Sequence, residues 1–475
     1  MVFSSLVFLL IFLPVTLVIY FVIPKRFITA KNIVLLIASL LFYSWGEPKA
    51  ILLMVASIAV NYVFGILLSK FESKTKRRII LISSLVFNLG MLFFFKYFNF
   101  VTGNRFKNIA LPIGISFYTF QIMSYVIDVY RKGCSTQKNI VKLALYISFF
   151  PQLIAGPIVR YTDIEKELTE RETKLDDVFY GAQRFILGLS KKVIISNCVA
   201  VIADQIFDKY QMQLSVSGGA ATLPMFVAWL GVIAYAIQLF FDFSGYSDMA
   251  IGLGKIFGFK FPENFNYPYA ATSIQDFWRR WHITLSTWFK EYLYIPLGGN
   301  RKGKVRTIIN LLIVFALTGL WHGASWTFIV WGLYHGFFIV IERIGFKKVL
   351  DKLPKFVGRI YTIFVVLIGW VIFRSPDMTF AVKYIGSLFN FARPGWTNAM
   401  GIFNTDVGKY SLIILLLGII FSFPLVPKIK KAIENKKYGL NVLTIASSIL
   451  GILLLVYAVM CLASSKYNPF IYFRF

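Results

Sequence analysis

Long apolar runs recur along the whole chain, many of them near the roughly 20 residues that a helix needs to cross the hydrocarbon core of a bilayer. They predict crossings at about 3–23, 32–46, 49–69, 78–100, 109–130, 182–206, 223–256, 306–321, 325–342, 358–374, 411–426 and 438–463. The first run has no basic leader and no A-x-A site, so it reads as a retained span rather than a cleaved signal peptide. The chain has no internal repeat, no low-complexity linker and no break in composition. One all-α, polytopic membrane domain over 1–475 is therefore expected, with about twelve transmembrane helices and an aromatic tail at 467–475.

Two stretches depart from this pattern. Residues 139–160 are apolar but short, are interrupted by Pro151, Gly156 and Pro157, and have basic loops on both sides. That predicts a re-entrant segment, which is tolerated only where protein or water satisfies the broken backbone. Residues 272–300 mix Arg279, Arg280, Lys290 and Glu291 with Trp278, Trp281 and Trp288, a density of basic and aromatic groups that suits an interfacial or partly inserted helix.

Charge then orients the chain. Of 475 residues, 50 are Lys or Arg and 22 are Asp or Glu, a net charge of +28, while 57% are hydrophobic, which is too apolar for a soluble enzyme. The cations gather at Lys25 to Lys31, Lys70 to Arg78, Arg131 to Lys142, Arg343 to Arg359 and Lys428 to Lys437. The segments around Gly46 to Pro48, Gln211 to Leu223 and Pro376 to Val407 are poor in basic residues or mixed. Placing every cluster on the cytoplasmic side gives an even number of crossings of the cell membrane, with both termini extracytoplasmic. The positive charge is thus a topology signal with attraction to anionic membrane lipid. Because it is scattered among spans rather than gathered on one face, it does not indicate a nucleic-acid partner.

Catalytic chemistry has few candidates. Cys134, Cys198 and Cys461 are isolated, and no Cys/His pairing could hold a metal. No nucleophile elbow, P-loop, HExxH or dinucleotide loop is present. The three histidines are His282, His322 and His335. Only about fifteen apolar residues precede Trp321-His322-Gly323, a climb of about 22 Å at 1.5 Å per residue, which falls short of the roughly 30 Å core. His322 is then either within the membrane depth at the tip of a shallow hairpin, or an interfacial histidine held by its Trp neighbours. His282, one turn from Trp278 and Ser286, and His335, in mid-span, each admit a purely structural reading as well. Asp242 and Asp248 interrupt another apolar run. Six residues apart, they cannot share a face closely, and they are expected to cap a broken helix or line a wet cavity.

Six segments, taken in order, resemble the membrane-bound O-acyltransferases of the bacterial alginate O-acetyltransferase type. They are MVFSSLVFLLIFLP at the start, FYSWGEP at 42–48, PQLIAGPIVRY at 151–161, QLFFDFSGYSDMAIG at 238–252, DFWRRWHITLSTWFKEYLYIPLGGNR at 276–301 and GLWHGASWTFIVWGLYHG at 319–336. The resemblance implies a many-helix core around a central funnel, with acetyl-CoA as the donor on the cytoplasmic side and a polysaccharide acceptor outside. It makes His322 the catalytic base and puts His282 across the tunnel from it. Donor phosphates would suit Arg279, Arg280, Lys290, Arg301, Lys302, Lys304 and Arg306, for which positive-inside topology is the competing reading. The C-terminal aromatic tail is similar to one that carries an acyl-relay tyrosine, here Tyr472, which would pass acetyl groups to a separate SGNH-type extracytoplasmic transferase. The alternatives are D-alanyl transfer to teichoic acid within the enzyme class, and a polymer or lipid transporter outside it.

Overall fold

The computed structural model describes residues 1–475 except 104, 106–108, 217–222, 392–405, 436–438, 465–466, 468–470 and 472–475. Tyr472, most of the tail and much of the loop expected after Pro376 lie outside the described residues. Among the described residues every regular element is helical, as hydrocarbon demands of a chain that must satisfy its backbone hydrogen bonds locally.

Each of the twelve expected ranges contains helix, but not all of them reach the length and apolarity of a span. Among the described residues, nine helices are long and apolar enough to span: Ile28–Gly46, Ala50–Lys70, Lys74–Val101, Leu175–Val216, Met225–Ile256, Lys304–His322, Trp326–Lys352, Lys355–Arg374 and Asn441–Ser464. The other three differ for visible reasons. Phe8–Val22 is apolar but short, and Gly408–Phe421 meets Leu425–Glu434 at a 62° bend. Ile115–Arg131 carries Ser116, Thr119, Gln121, Ser124 and Asp128, and is buried from Ile115 to Val129, so it is an interior helix rather than a lipid-facing one. In contrast, Asn441–Ser464 exposes Ile445, Ile452 and Leu453, an apolar face that requires lipid. The protein is a multi-pass membrane protein.

The chain divides into two compact units, one of residues 1–188 and 246–264, the other of 189–245 and 265–475. In the first, amide glue joins two spans: Asn61 Nδ2 donates to Asn88 Oδ1 at 3.0 Å, and Asn88 Nδ2 donates back to Asn61 Oδ1 at 2.7 Å. Residues 139–160 are broken as expected. Ile140–Ser148 ends at Phe149, a short turn of helix follows over Phe150–Leu153, and irregular chain runs on to Arg160. Phe149 through Val159 are buried, so protein covers the broken backbone.

The second unit is built on the hairpin of Lys304–His322 and Trp326–Ile341. Its helices touch backbone to backbone through glycines. A Cβ on Gly332 would stand 2.2 Å from the Phe315 carbonyl oxygen, and one on Gly319 would stand 2.2 Å from that of Phe328. Only glycine permits this approach, and the second helix of the hairpin packs on the helix Lys355–Arg374.

Candidate active site

His322 is the last residue of its helix and is 3% exposed. Its ring stands edge-on to Trp331 at 5.1 Å and to Phe373 at 5.3 Å, and its chain neighbour Trp321 packs at 5.0 Å. The sequence admits two readings, interfacial or enclosed; the histidine is enclosed.

His282 reaches the same place by a different route. The segment 272–300 is not one interfacial helix. It breaks into Ile274–Trp278 and Ile283–Phe289, and His282 is the hinge, with φ 45 and ψ 55. A histidine in the left-handed region is strained, and such strain persists only where the surroundings enforce it. The segment also sinks inward: Phe277, Trp278, Trp281, His282 and Leu285 are all buried. Glu342, itself buried, holds its start by accepting from the Ile274 and Gln275 amides at 2.5 and 2.9 Å. His282 is fully buried, edge-on to Phe243 at 4.7 Å and 6.0 Å from Trp321. Burial pushes its pKa down from 6.5 to about 3, so the imidazole is neutral at any physiological pH.

The three histidines are thus strung along tryptophans. Trp321 touches both His282 and His322, and Trp331 touches both His322 and His335, the latter at 5.2 Å. His335 also meets Trp278 at 5.3 Å, and Gly369 lies so close that a Cβ there would be 2.8 Å from His335 Nε2.

Beside Trp278 opens a cavity of about 290 Å³, whose apolar lining is joined by the cations Arg279, Lys290 and Arg343 and by polar side chains that include Gln275, Ser286 and Thr318. Two of the seven predicted anion-binding residues, Arg279 and Lys290, line it, Lys302, Lys304 and Arg306 do not, and Arg343 joins the first two without any signal in the sequence to single it out. Arg280 is instead committed to Asp276, with Nε 2.9 Å from Oδ1, and Arg301 is an exposed residue absent from the lining. Among the described residues, no group of three or more His, Cys, Asp or Glu is placed to hold a metal.

Asp242 and Asp248 are not caps. Both lie inside the continuous helix Met225–Ile256, and each has a cation of its own: Lys192 Nζ is 2.7 Å from Asp242 Oδ1, and Arg184 Nη2 is 2.7 Å from Asp248 Oδ1.

A buried imidazole at the end of the hairpin, a second buried imidazole against the same Trp321 ring and a cavity lined by three cations thus lie in the second unit. Residues 40–380 match the pattern of MBOAT, the membrane-bound O-acyltransferase family, and the chain belongs to that family. Over its whole length it is 38% identical to the whole of a probable alginate O-acetylase AlgI of Pseudomonas putida. It is 37% identical to a peptidoglycan O-acetyltransferase of Helicobacter pylori, over 81% of this chain and 79% of that one. A teichoic acid D-alanyltransferase of Bacillus subtilis is 31% identical over 48% of this chain and 58% of its own. The protein is an O-acyltransferase, which disposes of the transporter alternative.

Proposed function

We propose that the protein moves acetyl groups from cytoplasmic acetyl-CoA to an extracytoplasmic polysaccharide of the cell envelope or matrix, with His322 as general base. The observation that carries this reading is the enclosure of His322 among Trp321, Trp331 and Phe373, with His282 on the same Trp321 ring. The cationic cavity at Trp278, whose ring lies 5.7 Å from Trp331, is the donor's approach. Arg279, Lys290 and Arg343 bind donor phosphates there, Arg being suited to bidentate contacts and Lys to a point charge.

His322 takes the proton of an attacking hydroxyl, and the oxygen bonds to the thioester carbonyl carbon. His282, neutral because it is buried, cannot serve as base but can donate its N–H to the oxyanion. The carbon–sulfur bond then breaks, and the thiolate leaves with the proton held by His322. The first hydroxyl is that of Tyr472. The acetyl-tyrosine hands its group to an extracytoplasmic SGNH-type transferase, so the donor never crosses. With the basic clusters inside, the termini, and hence Tyr472, are on the acceptor side.

Polysaccharide acetylation is preferred to D-alanyl transfer because the acetylating relatives match over the whole chain or four-fifths of it and the D-alanyl transferase over half. Purified protein given labelled acetyl-CoA should release free CoA only when a tyrosine acceptor is present in the tail. Equal turnover by Tyr472→Phe sinks the relay, and no turnover with any acyl-CoA sinks the donor assignment.

A further inference from the structure

The pair Lys192–Asp242 poses an energetic problem. Its members are 2% and 1% exposed, inside a helical bundle in lipid, and two apolar side chains of similar volume would fill that space at lower cost. Something must need the charge. Oδ1 of Asp242 faces Lys192 at 2.7 Å, while Oδ2 accepts the backbone N–H of Ile471, 229 positions away, at 2.9 Å. Ile471 is 8% exposed and packs into the same apolar core as Phe241 and Phe243. A second contact of the same kind lies four residues earlier. The Tyr467 hydroxyl donates to Asp204 Oδ2 at 2.5 Å, and Asp204 Oδ1 is in turn paired with Arg374 at 3.1 Å.

We infer that Asp242, charge-balanced by Lys192, is the docking post of the C-terminal tail, with Asp204 and Arg374 as its outer tether. The logic is electrostatic. A main-chain N–H brought into an apolar core must find an acceptor. A carboxylate is the strongest one available, and the lysine 2.7 Å away balances its charge out of water. Asp242 directly precedes Phe243, the residue edge-on to His282, and Ile471 directly precedes Tyr472. The post therefore pins the chain one residue from the proposed relay, next to the helix position that packs on His282. Asp242 and Lys192 are positioning residues, and their bearing on transfer rests on the relay reading given above.

The test uses the full-length protein with Cys134, Cys198 and Cys461 changed to alanine and a single reporter, Ile471→Cys, whose amide still docks. The introduced thiol should resist alkylation by a bulky maleimide in this parent and in Lys192→Arg, which keeps the cation. In Asp242→Leu with Lys192→Met, which leaves no buried charge unpaired, alkylation should quicken by about tenfold or more while the melting temperature holds. Should that pair fail to fold, Asp242→Leu with Lys192→Leu, which likewise leaves no buried charge unpaired, carries the same expectation. A reporter alkylated no faster in a folded variant overturns the docking post. Acetyl transfer by the same proteins separates the two ideas: a freed tail with undiminished transfer keeps the post and removes its bearing on transfer, and a freed tail with transfer lost but the KM for acetyl-CoA unchanged supports both.

Discussion

The neutrality of His282 has a consequence that can be measured without any assay of turnover. An unfolded chain protonates a histidine near pH 6.5, whereas in the fold this one resists protonation until about pH 3. Between those values the unfolded state binds the extra proton, so stability is complete above about 6.5 and drains away as pH falls toward 3. At 1.36 kcal/mol per pH unit the whole window is worth about 5 kcal/mol, and the portion between pH 7 and pH 5 about 2 kcal/mol. His282→Asn removes the titration and suits the left-handed backbone at φ 45, which asparagine tolerates better than most residues. Melting both proteins in the same detergent at pH 7 and at pH 5 lets every other titrating group cancel. The wild type should lose about 2 kcal/mol more than the variant on acidification. Parallel losses would mean that residue 282 accepts a proton in the folded state, and its role as a neutral donor to the oxyanion would fall with that.

If Arg279 and Lys290 hold the donor phosphates as proposed, Arg279→Ala and Lys290→Ala should each raise the KM for acetyl-CoA by about tenfold with kcat changed less than about twofold, because such contacts are made equally in ground and transition states. Arg280→Ala, whose partner is Asp276, should change KM by less than about threefold; equal effects at all three would remove the cavity from the donor's path. Gly332→Val forces a side chain against the Phe315 carbonyl and should cost more than about 3 kcal/mol, seen as loss of monodisperse folded protein on size exclusion. Gly369→Ala, pressing on His335, should lower stability by about 1–3 kcal/mol in a melt; an unchanged melting temperature would show that the contact relaxes freely.

How far the sequence can be read depends on the range of the signal. Hydropathy is local, so all twelve helical stretches and the interrupted segment at 139–160 are visible in it, and the short apolar run before His322 already makes an enclosed histidine one of two readings. Pairing is not local. Nothing near Asp242 announces Lys192, fifty positions away, or Ile471 in the tail, and this is why the carboxylates read as caps. The 272–300 segment is only partly legible for a related reason. Its Arg and Trp content suits an interface, but Glu342 accepts its leading amides and the break at His282 folds it inward. The tryptophan ladder joining the three histidines brings together residues from 278 to 373, and no spacing rule reports it. Arg343 reaches the cavity unannounced because it sits in a basic cluster already explained by topology.

The central claim is that His322 drives acyl transfer from acetyl-CoA through Tyr472. Its most direct test is incubation of the detergent-purified protein with labelled acetyl-CoA, followed by intact and peptide mass spectrometry, comparing wild type with His322→Ala. The account predicts one acetyl group on Tyr472 in the wild type and none in the variant. Label on Tyr472 at equal rates in both proteins, or none in the wild type, would contradict it.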